Sequence, residues 1–238
     1  MRRFTIGIGT IAAMLAQAAG AGAAPVGHGA SAQCPPRNAR VLRSDRQAFV
    51  YTIRESATET LETVHGESHY QVHFTAIRGC ARRRVRSYKL GTPPEGHGGG
   101  GGSAGSGIRN LALNGSDVAF EESMTSSEGG EGGSHNEWLV VVRDLRNGRV
   151  LHKVPTGPTR ASDPNNIGVG ETTAIVVKSD GAVAWIAEAP GFYEVHALDR
   201  TGSRLLASGA DIKPRVLGLH GSELYWYQGG KRMSALLD

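Results

Sequence analysis

Short apolar runs separated by turn residues make up most of the chain, and the pattern is clearest over residues 173–208. The apolar runs there are about four to six residues long, and Gly, Asp, Ser and Pro occupy the turns between them. Runs of this length with such boundaries indicate consecutive antiparallel strands. They lie at residues 174–177, 182–186, 193–198 and 205–207. The stretch therefore predicts one four-stranded meander.

Weaker copies of this unit occur on both sides of it. One template consists of an apolar residue, a tight Gly turn, an acidic residue, an apolar pair and an aromatic residue. It fits residues 113–120 and 219–226 and, with one extra residue, 177–185. The aromatic residues of the copies are Phe120, Trp185 and Trp226, and we expect them in the core between sheets. A four-strand unit repeated at roughly 40 residues or more is typical of β-propeller blades.

The whole chain divides into four such units, at about residues 41–90, 108–154, 173–208 and 216–237. We predict an all-β fold of antiparallel four-stranded meanders, arranged as a small, about four-bladed, or incomplete β-propeller. The last unit is one strand short, and residues 34–40 are candidates for the missing strand, because propellers often close with a strand from the other terminus. An open fan of four sheets is the alternative.

Several insertions interrupt the repeat. A polar stretch at 55–68 could carry one helical turn, and residues 123–136 and 155–170 are predicted loops. Residues 91–107 are rich in Gly and should be flexible, since such a run buries too little apolar surface to offset its ordering entropy. Residues 39–238 are nevertheless predicted to form a single domain.

The amino terminus predicts export. Arg2 and Arg3 precede an apolar, small-residue stretch at 6–19, which indicates a cleaved signal peptide over residues 1–23 and a disordered leader at 24–38. We expect the mature protein in the periplasm, at the cell envelope or in the medium, without a stable membrane anchor. Without the two arginines the net charge falls from +4 to +2 (4 − 2), which gives no general argument for nucleic acid.

Cys34 and Cys80 are the two cysteines of the chain. After export they could form a disulfide that closes a loop of about 47 residues and contributes on the order of 4 kcal/mol. Two unpaired buried thiols are the alternative.

The outer hairpins pair an Asp with a Gly, Asp144 with Gly148 and Asp199 with Gly202. These hairpins resemble the blades of bacterial secreted propellers, a broad group that includes TolB-like and lactonase-like repeats. The resemblance implies the architecture alone, because no set of metal or quinone ligands can be carried over to this sequence, and a shared fold does not establish a function.

Two groups of residues carry candidate chemistry. On a helix, His65, His69 and His73, with Glu62 and Glu67 nearby, would form a zinc site. They alternate with Tyr70, Val72 and Phe74, so we expect a solvated strand face and no metal or other cofactor. A dense basic patch could bind an anionic glycan, lipid head groups or nucleic acid, or could simply guard an edge strand. The basic patch comprises Arg78, Arg82, Arg83, Arg84, Arg86 and Lys89.

The remaining polar clusters favour structural roles. A loose acidic loop is predicted to be solvated, and Ca²⁺ binding is the alternative, although the regular Asp/Asn spacing of a calcium loop is absent. It comprises Glu121, Glu122, Glu128, Glu131, His135 and Glu137. The turn residues Asn114, Ser179 and His220 occupy similar repeat positions but share no ligand chemistry, and no nucleophile elbow occurs. We therefore expect no catalytic residues and a non-enzymatic binding module, with an envelope protein or an anionic glycan as partner and no nucleic acid. The alternative is an exported, lactonase-like hydrolase with its site in the central channel.

Overall fold

The computed structural model describes residues 34–63, 66–84, 86–93, 107–127, 134–157 and 170–238. These residues form fifteen strands in four antiparallel sheets and no helix. The predicted all-β fold of repeated meanders is confirmed. The predicted signal peptide lies outside the described residues and stays a prediction.

Each sheet is a meander in which consecutive strands pair. The first contains β1 (Arg40–Ser44), β2 (Ala48–Thr63), β3 (Gly66–Ala81) and β4 (Ser87–Gly91). The second contains β5 (Gly107–Asn114), β6 (Asp117–Ser127), β7 (Ser134–Asp144) and β8 (Val150–Pro155). The third contains β9 (Thr172–Val177), β10 (Val183–Ala189), β11 (Phe192–Asp199) and β12 (Gly202–Gly209). The last contains β13 (Ile212–His220), β14 (Glu223–Gln228) and β15 (Lys231–Leu236).

The outer hairpin of the second sheet shows how the local sequence closes these meanders. The Asp144 carboxylate accepts hydrogen bonds from the backbone N–H of Arg146 and from the Asn147 amide. Gly148 has φ of 78°, a left-handed conformation that Gly adopts without a steric penalty, and its N–H donates to the Asp144 carbonyl. The Asp and Gly of this hairpin are thus accounted for by folding.

The four sheets stack as the blades of an open fan. The first strand of each sheet lies innermost, and β5 packs between β1 and β9 while β9 packs between β5 and β13. Three apolar cores fill the spaces between successive sheets. The four units do not close into a ring, so the structure is the incomplete form of the predicted propeller.

An aromatic residue on the second strand of each sheet marks the repeat in three dimensions. Phe120 lies in the core between the first and second sheets, Trp185 in the next core and Trp226 in the third. Each of them faces the preceding sheet. The equivalent residue of the first sheet is Tyr51, because Phe49-Val50-Tyr51 repeats the apolar-x-aromatic order of Val183-Ala184-Trp185. Tyr51 is only 2% exposed, although none of the described sheets precedes it.

Two local predictions are wrong. The sequence predicts a helical turn within 55–68, but residues 55–63 belong to β2 and residues 66–68 to β3. These two strands pair continuously from Ala48–Ala81 to Thr63–Gly66. Residues 34–39 form turns and bends and add no strand to the last sheet. In the described part of the chain no helix is long and apolar enough to cross a membrane.

Candidate binding surfaces

The four innermost strands surround a cavity of about 380 Å³ at the end of the fan where the first and second strands of each sheet turn. Six of its nine lining residues are aliphatic, and they come from β5, β9 and β13. Its polar lining residues are Arg43, Asp45 and Asn114. Arg43 Nε donates to the Leu111 carbonyl at 3.2 Å, and Asn114 Nδ2 donates to the Val177 carbonyl at 3.1 Å.

These polar groups of the central cavity therefore hold neighbouring strands together. Asp45 is likewise engaged, since its Oδ1 accepts the N–H of Gln47 at 3.3 Å. A hydrolase needs a nucleophile or an activated water beside a general base. The lining residues are not arranged in that way, and the hydrolase alternative stays a prediction without geometric support from the cavity.

Residues 53–63 of β2 and 66–76 of β3 form a largely exposed arm. Strand β1 pairs with β2 only as far as Thr52, and β4 pairs with β3 only from Ile77 onward. Beyond these points β2 and β3 continue as a two-stranded ribbon for eleven residue pairs, or about 33 Å. The predicted insertion at 55–68 is therefore the end of this arm.

The described candidate zinc histidines lie on the arm. His69 and His73 are both exposed on one face of β3, as the alternation predicts, and His69 Nδ1 lies 2.9 Å from Thr60 Oγ1. His65 and the side chain of Glu62 lie outside the described part. No group of three His, Cys, Asp or Glu side chains that could hold a metal ion is found among the described residues.

The face of the first sheet that points away from the second sheet carries cations over aromatic rings, and we call it the first end face. The Arg82 guanidinium lies 3.8 Å from the centroid of the Phe49 ring, and Lys89 Nζ lies 4.7 Å from that of Phe74. Arg78, on the same face, pairs with Glu55 at 2.5 Å. Aromatic rings therefore lie between the cations of the basic patch in the folded structure, although residues 78–89 do not show this arrangement in sequence. The rings come from β2 and from earlier in β3.

The other members of the basic patch divide between two locations. Arg83 and Arg84 are exposed in the turn between β3 and β4. Arg86 lies over the Tyr88 ring at 5.4 Å. Because Tyr88 pairs with Gly79 and packs beside Gly148, this contact lies on the face toward the second sheet.

A disulfide between Cys34 and Cys80 fastens the amino-terminal segment to the first end face. Cys80 is fully buried and pairs with Phe49 across β2 and β3, and the two Cα atoms are 6.2 Å apart. The structure thus contains the bridge and not the two free thiols.

The last sheet also exposes a face where a further blade would pack. Tyr225 and Tyr227 point to this side, with the Arg232 guanidinium 4.4 Å from one ring centroid and Lys213 Nζ 5.4 Å from the other. Leu236, on the same face, is 61% exposed. The face of a three-stranded sheet of this length offers only about 300 Å², well below the roughly 800 Å² per partner of a stable protein interface.

The predicted acidic loop is not uniformly solvated. Glu121 is 0% exposed between the second and third sheets, where its Oε2 accepts the backbone N–H and the hydroxyl of Thr172. Burial raises the pKa of Glu121, and the hydrogen bonds from Thr172 offset this only in part. Glu122 forms an ion pair with Lys153 at 2.8 Å. Glu128 and Glu131 lie outside the described residues, as does the side chain of His135.

A second buried carboxyl group lies at the opposite end of the same sheet. Asp117 is 1% exposed and directly opposite Asp144 in the pairing of β6 with β7. Burial, and then the charge of Asp144, raise the pKa of Asp117 to about 6. Burial alone would also raise the pKa of Asp144, but hydrogen bonds from Arg146 outweigh it and lower that pKa. Of these two carboxyl groups, only Asp117 has a pKa above its ordinary value.

We expect Asp117 to make the protein less stable as the pH rises from 3.8 to about 6. In this window the unfolded chain has lost the proton that the folded chain retains, so the free energy of unfolding falls by about 3 kcal/mol. Asp117→Asn should remove this part of the decline, which urea unfolding at a series of pH values would measure. Glu121 contributes a decline of the same sign in both proteins, so the difference between the two profiles isolates Asp117. Parallel profiles would contradict the prediction.

The fold and these surfaces define the class of the protein, an all-β repeat protein with exposed faces at both ends of a four-sheet fan. No protein-family model and no curated protein matches the chain. Among solved structures, two of the Plexin A4 full extracellular region are similar, one with domains 1 to 8 and one with domains 1 to 10. Each has 7% sequence identity and a TM-score of 0.35 over 82% of this chain. The match covers 26% of the first and 22% of the second, so this chain spans only about a quarter of their length.

Proposed function

We propose that this chain is an exported, non-enzymatic binding module of the cell envelope or medium, and that it binds an anionic glycan through the first end face. The observation that carries the proposal is the set of cations held over aromatic rings on a sheet face that none of the other described sheets covers. The likeness of its hairpins to secreted bacterial propellers, including TolB-like repeats, supports export. A disulfide is compatible with an oxidising compartment.

The geometry favours an anionic ligand because the cations are already positioned. Arg82 is fixed by the Phe49 ring and by its Nε hydrogen bond to the Asp45 carbonyl at 2.9 Å. A guanidinium held in this way loses little conformational entropy when it binds a carboxylate or sulfate group. Arg83 and Arg84 extend the positive charge along the adjacent turn.

The same contacts favour a glycan over a single-stranded nucleic acid. Sequence-tolerant nucleic acid binding relies on bases that stack on open aromatic faces. Here the Phe49 and Phe74 rings each have a cation over one face. Acidic sugars need the cations and do not need the ring faces.

The proposal predicts salt-sensitive binding to acidic polysaccharides, which can be measured on immobilised heparin and polygalacturonate. The triple variant Arg82→Ser, Arg83→Ser, Arg84→Ser should bind about tenfold more weakly, since three exposed ion pairs contribute about 0.5 kcal/mol each. A matched triple variant, Arg149→Ser, Arg200→Ser, Arg215→Ser, removes three exposed arginines from the other sheets and should retain binding. If both triple variants bind the immobilised polysaccharides equally well, the first end face is not the binding site.

A further inference from the structure

The two long edges of the arm differ in how they are protected. In sequence, the β2 part of the arm includes Arg54, Glu55, Glu59 and Glu62. The β3 part has one charged residue, Glu67 near its tip, and residues 68–76 include no Asp, Glu, Lys, Arg or Pro. Exposed sheet edges in natural proteins are usually guarded by charge or by Pro, because an unguarded edge pairs with another chain. Among the described strands, none pairs with β3 before Ile77 other than β2.

The outermost strands of the four sheets follow the usual rule. Each contains at least one charged residue, Lys89 in β4, Lys153 in β8, Arg204 in β12 and Lys231 in β15. The uncharged stretch of β3 also contains Tyr70, Val72, Phe74 and Thr75, whose residue types favour strands. A two-stranded ribbon alone is marginally stable in water, and three or more strands are needed for independent stability. The β3 edge of the arm is thus an exception in its lack of charge over residues 68–76, and among the described strands only β2 pairs with it there.

We propose that two copies of this chain pair through the β3 edges of their arms, antiparallel and around a two-fold axis near Gln71, to form a four-stranded sheet. In this register His69 lies opposite His73 of the second copy, and Ser68 lies opposite Phe74 of the second copy. No formal charges meet, because Glu67 lies opposite Thr75 of the second copy. Two β3 edges can therefore pair in this register without repulsion between like charges.

A second copy fits this edge better than an unlimited series of strands does. Pairing around a two-fold axis uses both β3 edges and leaves the charged β2 edges on the outside of the four-stranded sheet. Those charges oppose further strand addition. The assembly therefore stops at two chains. It does not depend on glycan binding, because the backbone edge of the arm and the cations of the first end face are different groups.

Sedimentation velocity and light scattering of the mature protein would measure this association. Gln71→Lys places like charges directly opposite each other at the axis and should weaken the dimer about fivefold or more. Thr58→Lys is the matched control, because Gln71 Nε2 donates to Thr58 Oγ1 at 2.9 Å and the two residues are opposite each other in the arm. Both variants lose this hydrogen bond and add one charge to the same face, but only Gln71→Lys changes the β3 edge. The control should dimerise like the natural chain.

Hydrogen exchange provides an independent readout. Backbone amides at 68–76 should become more protected as protein concentration rises, while those of β2 in the arm should change much less. A protein that is monomeric at every concentration, or a Thr58→Lys variant weakened as much as Gln71→Lys, would overturn the proposal. Both substituted positions are exposed and outside the three cores, so the variants are expected to fold.

Discussion

Replacing Trp185 with Ala is expected to lower the free energy of unfolding by about 3–5 kcal/mol, the usual cost of removing a buried Trp side chain. Trp185 is 1% exposed in the core that joins the second and third sheets, and its ring stacks on His196 with a centroid separation of 5.2 Å. Its Nε1 donates to the Thr156 carbonyl at 2.6 Å. The substitution therefore leaves a cavity and an unpaired buried carbonyl. Urea unfolding followed by circular dichroism would measure the loss.

A pair of milder variants separates the hydrogen bond from the packing. Trp226 occupies the equivalent position of the last sheet, but its buried Nε1 has no hydrogen-bond partner among the described residues. Trp185→Phe should therefore lower the free energy of unfolding by at least about 1 kcal/mol more than Trp226→Phe does. Trp185→Phe leaves the Thr156 carbonyl without its donor, whereas Trp226→Phe removes a donor that is already unpaired. Equal losses would show that the Thr156 contact contributes nothing to stability.

Removal of the Cys34–Cys80 disulfide is expected to cost about 4 kcal/mol, because the bridge restricts a long loop in the unfolded chain. The two cysteines are separated by 46 positions. In a domain of this size such a loss lowers Tm by about 10 °C. Calorimetry of the double variant Cys34→Ala, Cys80→Ala would test it.

Reductant provides the control for this second prediction. It should lower the Tm of the natural chain toward that of the double variant and leave the variant unchanged. A natural chain whose Tm is insensitive to reductant would contradict the assigned role of the disulfide.

The repeat could be predicted from the sequence because each strand and turn is determined by residues close together in the chain. Gly148, Gly181, Gly202 and Gly221 all adopt positive φ in turns that the pattern predicts. Alternation along the second strand of each unit is enough to bury Phe120, Trp185 and Trp226 on one side of a sheet. The short last unit was likewise visible, and it is the three-stranded sheet of the structure.

The binding surfaces could not be predicted in the same way. Residues 55–63 include three Glu, one Ala and one Ser, and Glu and Ala are depleted in strands, so local preference alone does not make this segment a strand. It is extended because each residue pairs with a residue of β3. The Arg82 contact with Phe49 joins residues 33 positions apart (82 − 49) through the β2–β3 register. Glu121 looked like part of a solvated loop, but it is buried because the start of β9 supplies two donors to it.

The sequence by itself determined the all-β class, the strand order and the position of one aromatic residue in each unit, since periodicity and turn chemistry act over a few residues. Only the tertiary structure decided that the fan stays open, that the amino-terminal segment is held on the first sheet by a disulfide and that β2 and β3 extend as an arm. These outcomes depend on contacts between residues far apart in the chain, where register and packing between sheets outweigh local preference.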